Sequence, residues 1–172
     1  MLFEKHKDYI DDLFTRYPIK RSALLPLLNL AQKEEGYVSQ GAMREIASIL
    51  DLTPPQVFET ATFYTMLHLK PIGEYHIQVC RSLMCALVKA DNLIEWLQKH
   101  LDISVGQTTL DKMFTLSAVE CLGSCGTGPM MQINDDYYER LTEDKVGKIL
   151  ADLKQTGHCE LKSGPFMAPE PR

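Results

Sequence analysis

Four of the five cysteines in this chain lie in two close pairs, and these pairs are the residues whose type and spacing could do chemistry. Cys80 and Cys85 are separated by four residues, and Cys121 and Cys125 are separated by three. Four thiolates can complete the coordination of a two-iron cluster, and they can equally close a tetrahedral zinc site. The spacing therefore predicts that the four side chains bind a metal ion or an iron–sulfur cluster.

The second pair lies in a glycine-rich stretch, which bears on the choice between zinc and a cluster. Both spacings fall within the range of structural zinc knuckles, so spacing alone leaves zinc and a [2Fe–2S] cluster open. Gly123, Gly126 and Gly128 leave backbone N–H groups accessible. An anionic cluster needs many such donors around its sulfur atoms. The composition of this loop therefore favours a [2Fe–2S] cluster modestly.

Other redox and nucleotide chemistries find no matching pattern in the chain. A Rieske centre needs two histidines beside two cysteines, and His68, His76, His100 and His158 do not flank the pairs in that way. No Cys-x-x-Cys opens a helix, and the glycines lack the spacing of a nucleotide-binding loop. Cys159 has no partner in sequence and is expected to be a free thiol beyond the folded core. We therefore expect an electron carrier that needs a partner and has no substrate site of its own.

Composition and charge exclude several other classes of protein. The chain has 172 residues, of which 45% are hydrophobic and 24% charged, and its net charge is −5. This charge argues against nucleic-acid binding, which needs a basic face. No apolar run approaches the ~18 residues of a membrane span, and charged residues from Glu4 onward stand where a signal peptide would be apolar. These features predict a bacterial cytoplasmic protein whose cysteines are ligands rather than disulfides.

The periodicity of apolar residues divides the chain into three parts. Residues 1–70 have helical spacing and are expected to form a bundle that serves as a docking module. Residues 71–158 follow the order strand, helix, three strands and helix, which predicts an α+β fold with a small mixed sheet. Residues 159–172 contain several prolines and little periodicity, so an extended tail is expected there.

Local signals mark where these elements begin and end. Alternating apolar residues predict one strand that ends at Cys80 and a second strand that ends beside Cys121. One edge of the sheet can therefore bring the two cysteine pairs together on its loops. Four hydroxyl residues are predicted to cap the starts of helices: Ser22, Ser39, Thr53 and Thr142.

Three segments of the chain also carry a family resemblance. They are Phe63-Tyr64 with Met66, the run from Gly73 to Cys80, and the run from Val119 through Cys121 and Cys125 to Tyr138. At these segments the chain resembles the NuoE-type subunit of respiratory complex I, the thioredoxin-like [2Fe–2S] ferredoxin of the NADH-oxidising arm. The resemblance extends from the N-terminal helices to about Gly157.

This resemblance implies a thioredoxin-like α/β domain after the helical bundle, with a cluster held by Cys80, Cys85, Cys121 and Cys125. It also implies a NuoF-type flavoprotein partner that binds FMN and NADH, and electron transfer to quinone through other subunits. The chain would then be a peripheral part of the complex on the cytoplasmic side of the bacterial inner membrane. Similar chains serve NAD-linked hydrogenases and formate dehydrogenases. A zinc-stabilised scaffold subunit is the alternative from another class.

Overall fold

The computed structural model describes residues 3–163 of the chain. These residues belong to two compact units, Met1–Pro71 and Ile72–Arg172. The first is helical, and the second contains a sheet with helices. Each unit has a hydrophobic core of its own. No helix in residues 3–163 is long and apolar enough to cross a membrane.

The first unit consists of four α-helices and two short 3₁₀ turns. Its apolar residues recur every three or four positions, so each helix buries one face. Leu27 and Leu28 of the second helix are fully buried, as are Ile46 and Val57 of the third and fourth. The helices are α1 (Lys7–Arg16), α2 (Leu24–Glu35), α3 (Gln40–Leu50) and α4 (Pro54–Phe63), and the turns are Glu4–His6 and Lys20–Ala23.

Two of the three predicted caps in this unit are confirmed and one is wrong. The hydroxyl of Ser39 accepts a hydrogen bond from the N–H of Ala42 at 3.0 Å and begins α3. The capping box of Thr53 and Gln56 is present before α4, with the side chain of Gln56 accepting from the N–H of Thr53 at 2.9 Å. Ser22 does not cap α2, because it lies inside the 3₁₀ turn and the helix begins only at Leu24.

The second unit has the predicted order of strands and helices, with one additional short α-helix and one 3₁₀ turn, Cys125–Thr127. Its elements are β1 (Tyr75–Cys80), α5 (Leu83–Leu87), α6 (Ala90–Leu101), β2 (Phe114–Val119), β3 (Met131–Ile133), β4 (Asp136–Tyr138) and α7 (Glu143–Thr156). The sequence did not predict α5, which places Cys85 on a helix rather than on a loop. Thr142 caps α7 as predicted, since its hydroxyl accepts from the N–H of Lys145 at 3.2 Å.

The four strands form one mixed sheet in the order β2-β1-β3-β4. β1 and β2 are parallel, and their register pairs Tyr75 with Phe114 and Cys80 with Val119. β3 runs antiparallel to β1 and to β4. The expected α+β class with a small mixed sheet is confirmed. Because β1 and β2 are parallel, their carboxyl ends lie at the same edge of the sheet.

Helices α6 and α7 supply the rest of the core of this unit. Leu97, Val146 and Ile149 are fully buried against the sheet side chains Ile77 and Leu116. These side chains recur at helical spacing in α6 and α7 and at alternate positions in the strands, so each element presents an apolar face.

The burial of Cys159 contradicts the expectation that this residue lies in a tail beyond the folded core. Its side chain is 2% exposed and belongs to the core cluster of the second unit. Its Sγ atom lies 3.6 Å from a carboxylate oxygen of Asp152. No local pattern indicates this burial, because Cys159 follows the glycine that ends α7. Residues 164–172 of the expected tail lie outside the described residues.

Candidate iron–sulfur site

The order of the strands explains how the two cysteine pairs meet. β2 and β3 flank β1 on opposite sides, so the connection from Val119 to Met131 has to cross the carboxyl end of β1. That end is Cys80, and the connection carries Cys121 and Cys125. Two backbone hydrogen bonds fix the position of this connection. The N–H of Arg81 donates to the carbonyl of Val119 at 2.9 Å, and the N–H of Cys80 donates to the carbonyl of Met130 at 3.2 Å.

The first pair forms the buried half of the site. Cys80 is 2% exposed and Cys85 1%, and both pack with Ala90 and Met130. Ser82, which lies between them, donates from its hydroxyl to a carboxylate oxygen of Glu120 at 3.0 Å. Because Glu120 directly precedes Cys121, this bond joins the segments that carry the two pairs.

The second pair forms the exposed half of the site. The Sγ atoms of Cys121 and Cys125 lie 3.4 Å apart, and both residues are exposed. Gly123 has φ +85°, a left-handed conformation that glycine adopts without strain. Its N–H donates to Cys121 Sγ at 3.4 Å. The glycine therefore supplies one of the backbone donors that the composition of the loop predicted.

The four thiols are close enough to influence one another's ionisation. Burial, with the neighbouring Cys80, raises the pKa of Cys85 to about 11. The N–H of Gly123 lowers the pKa of Cys121, and Cys80 and Cys125 contribute to the same shift. The Cys121 thiol in turn raises the pKa of Cys125. Thiolates that repel one another in this way are stabilised most by a bound cationic centre, because it neutralises part of their negative charge.

The four thiols can be compared with what each of the two candidate groups, a zinc ion and a [2Fe–2S] cluster, requires of its ligands. In residues 3–163 no group of three or more histidine, cysteine, aspartate or glutamate side chains is placed to hold a metal ion as it stands. Cys121 lies against Cys125, and Cys80 interacts with both Cys85 and Cys121. A two-iron cluster spreads its four thiolates over two iron ions. Four soft thiolate donors gathered in this way fit a [2Fe–2S] cluster.

Gly128 brings the second loop against the first pair. A Cβ atom added at this glycine would lie 3.3 Å from Cys85 Sγ and 3.0 Å from Cγ2 of Val88. A side chain at this position would force its neighbours to shift by a few tenths of an ångström, so glycine suits the close approach of the backbone to the buried thiol. The peptide bond between Gly128 and Pro129 is cis.

Residues outside the cysteine pairs also shape the site, and sequence analysis missed the most important of them. The carboxylate of Glu139, just after β4, contacts the hydroxyls of Ser124 and Thr127 in the second loop. No spacing or motif in the sequence links Glu139 to that loop.

Arg81, whose charge could offset that of a cluster, is exposed. His76 is buried with its Nε2 atom 2.8 Å from the hydroxyl of Ser117, as suits a structural residue.

Fold and site together define a small iron–sulfur protein of the electron-carrier class. A family model described as "Thioredoxin-like [2Fe-2S] ferredoxin" matches residues 10–154. The chain therefore belongs to the thioredoxin-like [2Fe–2S] ferredoxin family. Membership of this family supports a [2Fe–2S] cluster rather than zinc as the cofactor.

Several proteins are similar to this one over most of its length. A protein of Rickettsia conorii, named as a subunit of NADH-quinone oxidoreductase, is 44% identical over 154 residues, which cover 88% of this chain and 92% of the relative. "NADH-quinone oxidoreductase subunit 2" of Thermus thermophilus is 39% identical over 155 residues, covering 88% and 86%. These relatives agree with the family resemblance that the three sequence segments carry.

A solved structure shares the fold. An NAD⁺-reducing [NiFe]-hydrogenase in its H2-reduced state matches with a TM-score of 0.69 at 22% identity. The match covers 78% of this chain, and this chain spans only 22% of that hydrogenase chain. At this identity the likeness establishes the fold alone.

Proposed function

We propose that this chain is the electron-transfer subunit of an NADH:quinone oxidoreductase and that Cys80, Cys85, Cys121 and Cys125 are the ligands of its [2Fe–2S] cluster. The observation that carries the proposal is the crossing of the loop from β2 to β3 over the end of β1, with Cys121 in contact with Cys80 and Gly128 beside Cys85. Relatives with 39–44% identity, named as subunits of that oxidoreductase, support the assignment to this complex.

The buried half and the exposed half of the site are suited to different tasks. When bound, the cluster would supply one-electron redox chemistry. Cys80 and Cys85 shield one side of the site from water, because both are buried. Cys121 and Cys125 leave the other side open, so that a partner protein can approach it closely.

The surface beside the site favours a protein partner. Four apolar side chains close to Cys85 in sequence, on α5 and directly after it, are exposed. They are Leu83, Met84, Leu87 and Val88, and the side chain of Leu87 is 69% exposed. Exposed apolar groups gathered in one place usually mark an interaction site. We infer that this surface faces a NuoF-type flavoprotein subunit that binds FMN and NADH. The chain is then a peripheral component on the cytoplasmic side of the membrane.

The helical unit contributes a second apolar surface. Phe63 is 77% exposed and Met66 73%, and Phe58 on the same helix as Phe63 is 52% exposed. None of the four helices of this unit carries a cysteine. The docking role proposed for residues 1–70 therefore depends on these aromatic and thioether side chains, which are common at protein interfaces.

The ligand assignment is tested by substituting each cysteine with serine. We expect Cys80→Ser, Cys85→Ser, Cys121→Ser and Cys125→Ser to lose or strongly alter the EPR signal of the reduced cluster, since serine is a harder and poorer donor. Cys159→Ser is the matched control and should keep the signal. Because Cys159 is buried and a carboxylate oxygen of Asp152 lies 3.6 Å from its Sγ atom, this control should keep the fold at a modest cost in stability. Loss of the signal in Cys159→Ser with one of the other four silent would exclude this ligand set.

The carrier role is tested by mixing the purified chain with NADH in a stopped-flow instrument. Reduction of the cluster should require the flavoprotein, because the chain carries no sequence signature of a nucleotide site. Reduction by NADH alone would contradict the carrier role. The hydrogenase and formate dehydrogenase assemblies remain alternatives, and purification of the complex with its neighbours, followed by assay with quinone, separates them.

The docking surface on α5 is tested with a charge. Leu87→Glu should weaken binding to the flavoprotein while the fold is kept, since the side chain is already exposed. Leu110→Glu is the control, because Leu110 is fully exposed before β2, at the end of that strand opposite the cysteines. Equal binding by the two variants would remove α5 from the interface.

A further inference from the structure

One short segment is hydrogen-bonded to the ligand loop at several points. The ligand loop is residues 121–129, and the segment is residues 137–141, which includes the end of β4. The hydroxyl of Tyr137 donates to the carbonyl of Leu122 at 2.8 Å. The N–H of Arg140 donates to the carbonyl of Thr127 at 2.7 Å, and that of Leu141 donates to Pro129 at 3.0 Å. The loop is therefore bonded to this segment at both of its ends.

Glu139 makes the central contact of this arrangement with its side chain. Its Oε1 atom accepts from the hydroxyl of Thr127 at 2.6 Å and also from that of Ser124. Those two hydroxyls lie 2.6 Å from each other, so a single carboxylate oxygen joins the two residues on either side of Cys125 and Gly126. A carboxylate is the strongest acceptor that a side chain can offer to two hydroxyls at once.

The backbone around Glu139 is arranged to maintain this contact. Lys145 of α7 donates from its Nζ atom to the carbonyl of Glu139 at 2.6 Å. Arg140 has φ +47°, a conformation uncommon for residues other than glycine. Such strain persists only where surrounding structure determines it, and it clusters at functional sites. Here it accompanies the two consecutive N–H groups that bond the loop.

The carboxylate of Glu139 is held in its charged form. Hydrogen bonds from Ser124 and Thr127 lower the pKa of Glu139. A negative charge is thus kept beside the residue that precedes Cys125, in a site whose cluster is itself anionic. Such a charge opposes the addition of an electron to the cluster.

We propose that Glu139 is a positioning residue for the [2Fe–2S] cluster: its carboxylate fixes Ser124 and Thr127 so that Cys121 and Cys125 are presented together. The proposal rests on the ligand set given above. It assigns Glu139 no contact with the cluster. It also predicts that the charge and the hydrogen-bonding capacity of this side chain have separable effects.

The test uses full-length chains with Glu139→Ala and Glu139→Gln. The glutamine keeps an acceptor oxygen of the same reach but lacks the charge, whereas the alanine removes both. We expect Glu139→Ala to lose its cluster to a chelator about tenfold faster than the wild type, the effect typical of residues that orient metal ligands. Glu139→Gln should retain the cluster nearly as well as the wild type, and its reduction potential should move to a more positive value.

Two further variants complete the design. Asp135→Asn removes the same charge at the other end of β4, where Asp135 is exposed, and should change neither the retention nor the potential. Thr127→Val keeps the shape of the side chain and removes one hydroxyl. It should lose the cluster at a rate between those of the wild type and Glu139→Ala, and it stands in for the alanine variant if that chain does not fold.

A readout without the cluster separates this proposal from the ligand assignment. Hydrogen exchange of the amides of residues 121–129, measured on the apo chain, should be faster in Glu139→Ala and unchanged in Glu139→Gln. Equal rates of cluster loss in the two Glu139 variants, or unaltered exchange in Glu139→Ala, would overturn the positioning role. A failed ligand assignment would instead appear in the serine variants and would leave the exchange result intact.

Discussion

Replacement of Gly128 by alanine tests whether the close approach of the two cysteine loops is what builds the site. The backbone of Gly128 has φ −65° and ψ 162°, which alanine adopts freely, so no conformational strain is expected. The added methyl group would lie 3.0 Å from Val88 Cγ2 and 3.3 Å from Cys85 Sγ. Both contacts are tighter than van der Waals separation, so Cys85 or the loop has to move.

The magnitude follows from the cost of overpacking. One additional methyl group in a packed region costs about 1–3 kcal/mol, which corresponds to a factor of about 5 to 140 in a linked equilibrium. We expect Gly128→Ala to lower the apparent melting temperature, to release the cluster faster to a chelator and to change its visible circular dichroism. All three follow from displacement of one ligand.

The same loop offers a matched control. A Cβ added at Gly126 would meet nothing within 4 Å, and the φ of this glycine is ordinary. Gly126→Ala should therefore keep the spectrum, with stability changed by less than about 1 kcal/mol. Val88→Ala removes the nearest methyl group, so it should partly restore the Gly128→Ala chain. Equal behaviour of the two glycine variants, or no relief by Val88→Ala, would refute the steric reasoning.

Three other expectations concern the second unit. Tyr138 is 2% exposed, and burial raises its pKa to about 12 from an ordinary value of 10.0. The raised value favours the neutral phenol, so its stability contribution is complete below pH 10 and about 2 kcal/mol is lost by pH 12; urea titrations should show a shallower alkaline decline for Tyr138→Phe. Thr142→Ala should cost about 1 kcal/mol and a few degrees in melting temperature through loss of the cap; an unchanged thermogram would contradict the capping bond. Cys159→Ala should show the same number of rapidly reacting thiols as the wild type over the first minutes with a thiol reagent, because Cys159 is buried in the folded chain; one rapidly reacting thiol fewer in the variant would contradict that burial.

Local features of this fold could be predicted from the sequence, because their causes lie within a few residues. Ser39 and Thr142 precede apolar faces at helical spacing, and each hydroxyl caps its helix. The strand that ends at Cys80 is indicated by the alternation of apolar and polar residues along it. Short-range hydrogen bonds and side-chain periodicity fix these elements wherever the chain is placed.

Features that depend on distant contacts could not be predicted in the same way. The helix α5 spans only five residues, too few for periodicity to mark, and it exists where Cys85 packs on Met130. Burial of Cys159 depends on packing with the core of the second unit. The contact of Glu139 with Thr127 spans twelve positions and two separate loops. In each case the deciding partner comes from elsewhere in the fold, so no local pattern records it.

The strand order provides the physical reason why so small a unit can hold two thiol pairs. A connection between neighbouring strands would have turned back beside β2 and left Cys121 and Cys125 at the edge of the sheet. Because β3 instead pairs on the far side of β1, the loop passes over Cys80 before it joins the sheet. The first pair is then fixed by burial in β1 and α5, whereas the exposed second pair depends on bonds from residues 137–141. Order in the exposed half therefore depends on these hydrogen bonds in addition to the packing of Leu122 and Tyr137 against the first pair. For this reason single polar substitutions at Glu139 or Thr127 should affect the cluster.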